Sequence, residues 1–135
     1  MEETASPQGG DLGLQGTRGA EVLKLWLGLQ HLGLEGIHGV ISAALQRRQR
    51  LAELLDPLPL TLLPGDLHLL SFQHSSLVGE AAMHWRDRVH QALLDQQLWL
   101  SKPQLNGQPL LKAVLGNPFT GERELQQIAA VLQAP

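Results

Sequence analysis

Apolar side chains recur along most of this chain with a period near 3.6, and the places where that rhythm breaks delimit the elements. Between Ala20 and Leu32, leucines and Trp26 return at helical and near-helical spacings, Leu23, Trp26 and Leu27 among them. A helix over 20–32 is predicted, with Gly33 as its stop. Ile37, Val40, Ile41, Ala44, Leu45, Leu51, Ala52 and Leu55 then form an i, i+3, i+4 stripe, with Arg47, Arg50 and Glu53 lying off it. That stripe predicts a second helix over 34–55. Asp56-Pro57 closes it, because the residue before a proline is pushed out of the helical region.

Two short apolar runs follow, 58–63 and 67–73, separated by the turn signal Pro64-Gly65-Asp66. Neither is long enough for a buried helix, so both are predicted strands. Val78, Ala81, Ala82, Trp85, Val89, Ala92 and Leu93 mark one face of a helix over 77–96, with Arg86, Asp87, Arg88 and Gln91 opposite and Ser75-Ser76 placed to cap its start. A hairpin over 98–115 is predicted around Asn106-Gly107, frayed by Pro103 and Pro109, each of which removes a ladder donor. Leu125, Ile128, Ala129 and Leu132 make the last stripe, a helix over 121–133 with Thr120 as N-cap and Glu122 complementing the helix dipole. The expected fold class is α+β, an antiparallel or mixed sheet packed against about four helices. Residues 1–16 carry too few apolar side chains to offset the entropy of ordering them and are expected to form a flexible arm before a domain over 17–135.

Composition narrows the function classes. At 135 residues, 43% hydrophobic and 17% charged, the chain suits one globular domain whose core needs no metal or disulfide staple. With no cysteine, thiol catalysis, disulfide redox chemistry and Cys-ligated zinc are excluded. A formal charge of −3 gives no electrostatic footprint for nucleic acid. The acidic start, Met1-Glu2-Glu3, and the charges interrupting the most apolar run argue against export or a membrane span, so a cytoplasmic chain is expected.

Side chains able to do chemistry are few in pattern. His31 and His38 are separated by two glycines, and His84 and His90 are six apart, so neither pair shares a helix face as metal ligands would. Ser75 and Ser76 beside His74 lack a third group to orient a base. Glu80, Asp87 and Asp95 read as the wet side of a helix, and Trp26, Trp85 and Trp99 as core residues.

Thr17-Arg18-Gly19-Ala20-Glu21-Val22-Leu23-Lys24-Leu25-Trp26 carries more information than its composition. It resembles the stretch by which the group II pyridoxal-phosphate-dependent amino acid decarboxylases, such as those for aromatic amino acids, glutamate and diaminobutyrate, enter the first helix after their cofactor domain. Gly19 stands where that family has a second arginine. Leu32-Gly33-Leu34-Glu35-Gly36-Ile37 resembles the family's break between two helices, and Leu105-Asn106-Gly107 with Leu110-Leu111-Lys112-Ala113-Val114-Leu115-Gly116-Asn117-Pro118 is similar to its C-terminal hairpin and Asn-Pro exit. The resemblance spans residues 11–134 and implies the small C-terminal domain of a fold-type-I enzyme. Arg18, Lys24, Trp26, Asn117 and Pro118 are the motif residues it carries over.

The resemblance also implies what is missing. In the family a lysine, commonly in a His-Lys pair, forms the Schiff base in a larger upstream domain, and an aspartate there pairs with the pyridine nitrogen. The lysines here follow Leu23, Ser101 and Leu111. No catalytic or cofactor-binding residue is therefore assigned, pyridoxal phosphate is implied by resemblance only, and the chain alone is expected to be inactive. The partner implied is a large cofactor-binding domain on another chain, or a second copy in a homo-oligomer; the alternative is a non-catalytic remnant or interaction module that keeps the fold. Lys112 stands where the family usually has an arginine, implied in the glutamate branch to grip the substrate carboxylate. Read by itself it is a solvated lysine on an edge strand; as a substrate-binding residue it keeps the charge but loses the bidentate fork.

Overall fold

The computed structural model describes residues 21–133, so Arg18 and the arm expected over 1–16 lie outside the described residues. The elements in order are α1 (Glu21–Leu55), β1 (Leu60–Leu63), β2 (Leu69–His74), α2 (Gly79–Leu94), β3 (Gln104–Leu105), β4 (Gln108–Pro109), β5 (Leu111–Val114) and α3 (Glu122–Gln133). The architecture is α+β, and all strand pairing is antiparallel among the described residues. None of the helices among them is long and apolar enough to cross a membrane.

The helices expected on either side of Gly33 run on as one element with a break at that glycine, so the described residues hold three helical elements. Gly33 takes φ 62° and ψ −179°, a backbone that a side chain would strain, yet helix resumes directly after it. The expected stop is thus a kink within one element of 35 residues. The chain divides into two compact units inside this element, between Ile37 and His38.

In the unit from His38 onward, β1, β2 and β5 form a sheet in the order β1-β2-β5. Strand alternation turns Leu70, Phe72, Leu111 and Ala113 to one face, where Leu51 and Leu55 of α1, Trp85, Val89 and Leu93 of α2, and Leu125, Ile128 and Leu132 of α3 complete the buried core. Trp26 and Trp99, expected in the core, are exposed; of the three tryptophans only Trp85 is buried.

Local chemistry explains the shifted boundaries. β1 starts at Leu60 rather than 58, because the end of α1 continues as a turn in which the Leu58 amide donates to the Leu55 carbonyl at 3.0 Å. α2 starts at Gly79 with Val78 before it and no side-chain cap. The serines expected to cap it serve the preceding turn: Ser75 Oγ donates to the Pro59 carbonyl at 3.0 Å and the Ser76 amide to His74 Nδ1 at 3.3 Å. At its other end Gln97 adopts φ 61°, and amides of Gln97 and Leu98 donate to the carbonyls of Leu94 (2.8 Å) and Leu93 (2.9 Å), a Schellman closure made without glycine. Asn106 and Gly107, at φ 51° and 78°, make the tight turn of the β3–β4 hairpin. α3 begins after Gly121 rather than on a Thr120 cap; the Glu124 carboxylate reaches back to accept from the Gly121 amide at 2.8 Å.

Arginines of α1 tie the layers together. Arg47 Nε donates to the Leu115 carbonyl at 3.0 Å, and Arg48 donates to the carbonyls of Leu69 (2.9 Å) and Gly65 (3.0 Å). Arg50 grips the Glu122 carboxylate with contacts of 2.7, 3.0 and 3.1 Å. Arg47 and Arg50 lie off the apolar stripe, as their spacing predicts, yet both are engaged with other elements.

Candidate functional site

Lys112 lies in β5 between the buried Leu111 and Ala113, so its side chain belongs to the opposite face of the sheet. The strand is not an edge at this point. Lys112 pairs with Ser71 of β2 on one side and with Ser101 on the other, exchanging two backbone hydrogen bonds of 3.0 and 2.9 Å with Ser101. The expectation of an edge-strand lysine is therefore corrected. The stretch after α2 returns beside β5 as its second neighbour, and a hydrophobicity pattern carries no signal for such a bridge.

With Leu63 opposite Ser71 in the β1–β2 register, Leu63, Ser71, Lys112 and Ser101 form a row across the sheet. Lys112 is a half-buried residue, stands between two serine positions in the sheet, and makes no ion pair among the described residues. A cation flanked by small hydroxyl side chains, with no carboxylate committed to it, is suited to bind an anionic group. Val114 on the same face is exposed, Trp99 is 70% exposed and Phe119 is 90% exposed. These three line a cavity of about 380 Å³ together with Asn117 and Thr120.

Asn117 and Pro118 shape the exit from β5. Asn117 Oδ1 accepts from the Phe119 amide at 3.0 Å and its carbonyl from the Thr120 amide at 3.2 Å, a turn that delivers the chain to α3. Lys24 and Trp26 are exposed on α1, in the unit that ends at Ile37. Asn117 lines the same cavity as Val114, two residues beyond Lys112 on β5, whereas Lys24 and Trp26 belong to the other unit. Ser71, Ser101 and Phe119 were not singled out by sequence. The two serines gain meaning only from register, while Phe119, directly after Asn-Pro, carried the sole local hint: an aromatic in a turn.

Several charged groups elsewhere are engaged in pairs. Asp87 accepts from Lys102 (3.1 Å) and Arg86 (3.1 Å), and these two cations, Lys102 first, hold its carboxyl below the ordinary range. Arg50 likewise holds Glu122 low, and the Gly121 amide does the same for Glu124. Among the described residues no three His, Asp or Glu gather as metal ligands.

No family model and no curated protein sequence matches the chain. Solved structures do match. The TDC of Oryza sativa, solved with PLP and tryptamine, superposes with a TM-score of 0.71 at 14% identity, covering 82% of this chain and 25% of that one. The tryptophan decarboxylase of Catharanthus roseus, in complex with L-tryptophan, gives 0.71 at 16% identity with the same coverage. Mouse CSAD gives 0.66 at 14% identity, covering 98% of this chain and 32% of that one. The fold is that of a segment of the group II pyridoxal-phosphate-dependent decarboxylases. The chain spans about a quarter to a third of the length of these structures.

Whether the residues of this decarboxylase-like segment suit the cofactor can be tested on its lysines. Lys102 is occupied by Asp87 at the surface, Lys24 is exposed on α1, and Lys112 stands on the sheet face without a carboxylate or a glycine-rich phosphate turn beside it. These surroundings do not fit a site for pyridoxal phosphate, which needs a lysine for the aldehyde together with a phosphate cradle and a partner for the ring nitrogen.

Proposed function

We propose that this chain is the small C-terminal domain of a pyridoxal-phosphate-dependent amino acid decarboxylase, and that it contributes to carboxy-lyase activity only when a large cofactor-binding domain is supplied by another chain in the cytoplasm. The observation that carries the reading is the place of Lys112: the middle of the sheet face that its own helices leave uncovered. One face of the sheet is packed by α1, α2 and α3, while the other carries Lys112 with Val114, Trp99 and Leu63 around it. A face of mixed apolar residues around one uncommitted cation is suited to covering by a second layer that encloses an anionic substrate group. In this reading Lys112 binds the substrate carboxylate as a point charge where the family has a bidentate arginine. Alone, the chain neither holds the cofactor nor turns over an amino acid.

The test is reconstitution with the cofactor domain of a group II decarboxylase. Lys112→Arg should raise decarboxylation by the pair and Lys112→Ala should lower it. A charge-assisted hydrogen bond is worth about 1.5–3 kcal/mol, so the loss in catalytic efficiency approaches a hundredfold if it is felt in the transition state. The chain by itself should show no visible absorbance from a lysine-bound cofactor after dialysis. Equal activity of the three forms would overturn the role of Lys112, and failure of any cofactor domain to associate would favour the remnant or interaction module.

A further inference from the structure

On the core side of the sheet, and so on the face opposite Lys112, a cavity of about 480 Å³ opens between the Pro57–Leu60 segment, α2 and the end of α3. Its apolar wall is made by Leu58, Leu60, Leu77 and Leu132, with the buried Trp85 beside them. Arg88 and His74 line the same space, together with the Gln133 amide. We infer that this cleft is a binding site for an amphiphilic monocarboxylate, with the apolar body among the leucines and Trp85 and the carboxylate on Arg88 and His74.

Three observations converge on that chemistry. The volume lies within the range of small-molecule sites, which pair a mostly apolar lining with a few placed polar groups. Among the described residues, no acidic side chain lines the cleft and Arg88 makes no ion pair; the adjacent Asp87 is taken by Arg86 and Lys102. The cleft therefore carries an uncompensated guanidinium, whose planar fork matches a carboxylate. His74, finally, is set up as a second donor. Its Nδ1 accepts from the Ser76 amide at 3.3 Å, which leaves the proton of the neutral ring on Nε2, and the ring stands edge-on to Trp85 with centroids 5.4 Å apart. A neutral alcohol of the same length would fill the wall but leave the guanidinium without its counter-charge.

The test uses the full chain with Trp26→Phe and Trp99→Phe, two substitutions at exposed positions that leave Trp85 as the only indole. Sodium decanoate below its micelle concentration should change Trp85 emission saturably with one equivalent bound, and decanol should bind at least tenfold more weakly. Arg88→Gln, at an exposed position, should weaken decanoate at least tenfold and leave decanol unchanged, and Arg88→Lys should recover part of the loss. His74→Phe should weaken decanoate severalfold. Equal binding of decanoate and decanol overturns the proposal without relying on any variant, as does full decanoate affinity in Arg88→Gln. Several equivalents bound with no saturation would show nonspecific adsorption to exposed apolar surface and would overturn it too.

Discussion

α3 and the first turns of α1 are both leucine-rich helices, and they differ in how the leucines are placed. In α3, Leu125, Ile128 and Leu132 fall on one side and are buried, while Glu122, Arg123 and Gln126 face water. In α1, Val22, Leu23, Leu25, Trp26, Leu27, Leu29 and Leu32 are distributed around the axis, and all are exposed. A one-sided stripe can be satisfied by a single layer, and in α3 the sheet and its sister helices supply that layer. A helix whose apolar residues spread over more than one side needs cover from more than one direction. The contrast separates a region complete within this chain from one whose pattern asks for further surface, in keeping with a chain that spans only part of its structural neighbours.

The sharpest way to break the comparison is to cut the same side chain in both regions. Leu125→Ala should lower unfolding stability by about 2–5 kcal/mol, because it leaves a cavity in a packed core. Leu25→Ala should change it by no more than about 0.5 kcal/mol. Urea denaturation of the two variants decides, and comparable losses would show that α1 is already packed in solution. Next in size is association. The exposed start of α1 should drive self-association of the isolated chain, and Leu25→Glu with Trp26→Glu should shift it toward monomer and reduce binding of apolar dyes. Sedimentation of a strict monomer at high concentration in the parent chain would remove the need for cover.

The smallest effect concerns the clasp that holds α3 to α1. Arg50 depresses the Glu122 carboxyl below its ordinary value of 4.5, so the pair's stabilisation is fully present above that value and fades as pH falls through the depressed one. The difference in melting temperature between the parent and Glu122→Gln should therefore shrink on acidification from about pH 6 to pH 3, and added salt should shrink it at any pH because both side chains are solvent-exposed. A difference independent of both would show that the contact acts through packing.

Local pattern determined much of this protein. The stripe of α3, the strand character of 60–63 and 69–74, the break at Gly33 and the Asn106-Gly107 turn are each written in a few neighbouring residues, because periodicity and positive-φ preferences are short-range properties. The resemblance around Lys112 is likewise carried by a local run, Leu110-Leu111-Lys112 through Asn117-Pro118. What only the tertiary structure decided depends on partners distant in sequence. Ser71 and Ser101 flank Lys112 through strand register, which no local pattern encodes. Arg47 and Arg50 lie off the apolar stripe in sequence, but with Arg48 they spend their donors on carbonyls and a carboxylate up to 72 residues away. Trp26 and Trp99 read as core because tryptophan is apolar, yet burial is set by which layers are present to cover it; Trp85 is buried in the core, while the other two are exposed among the described residues.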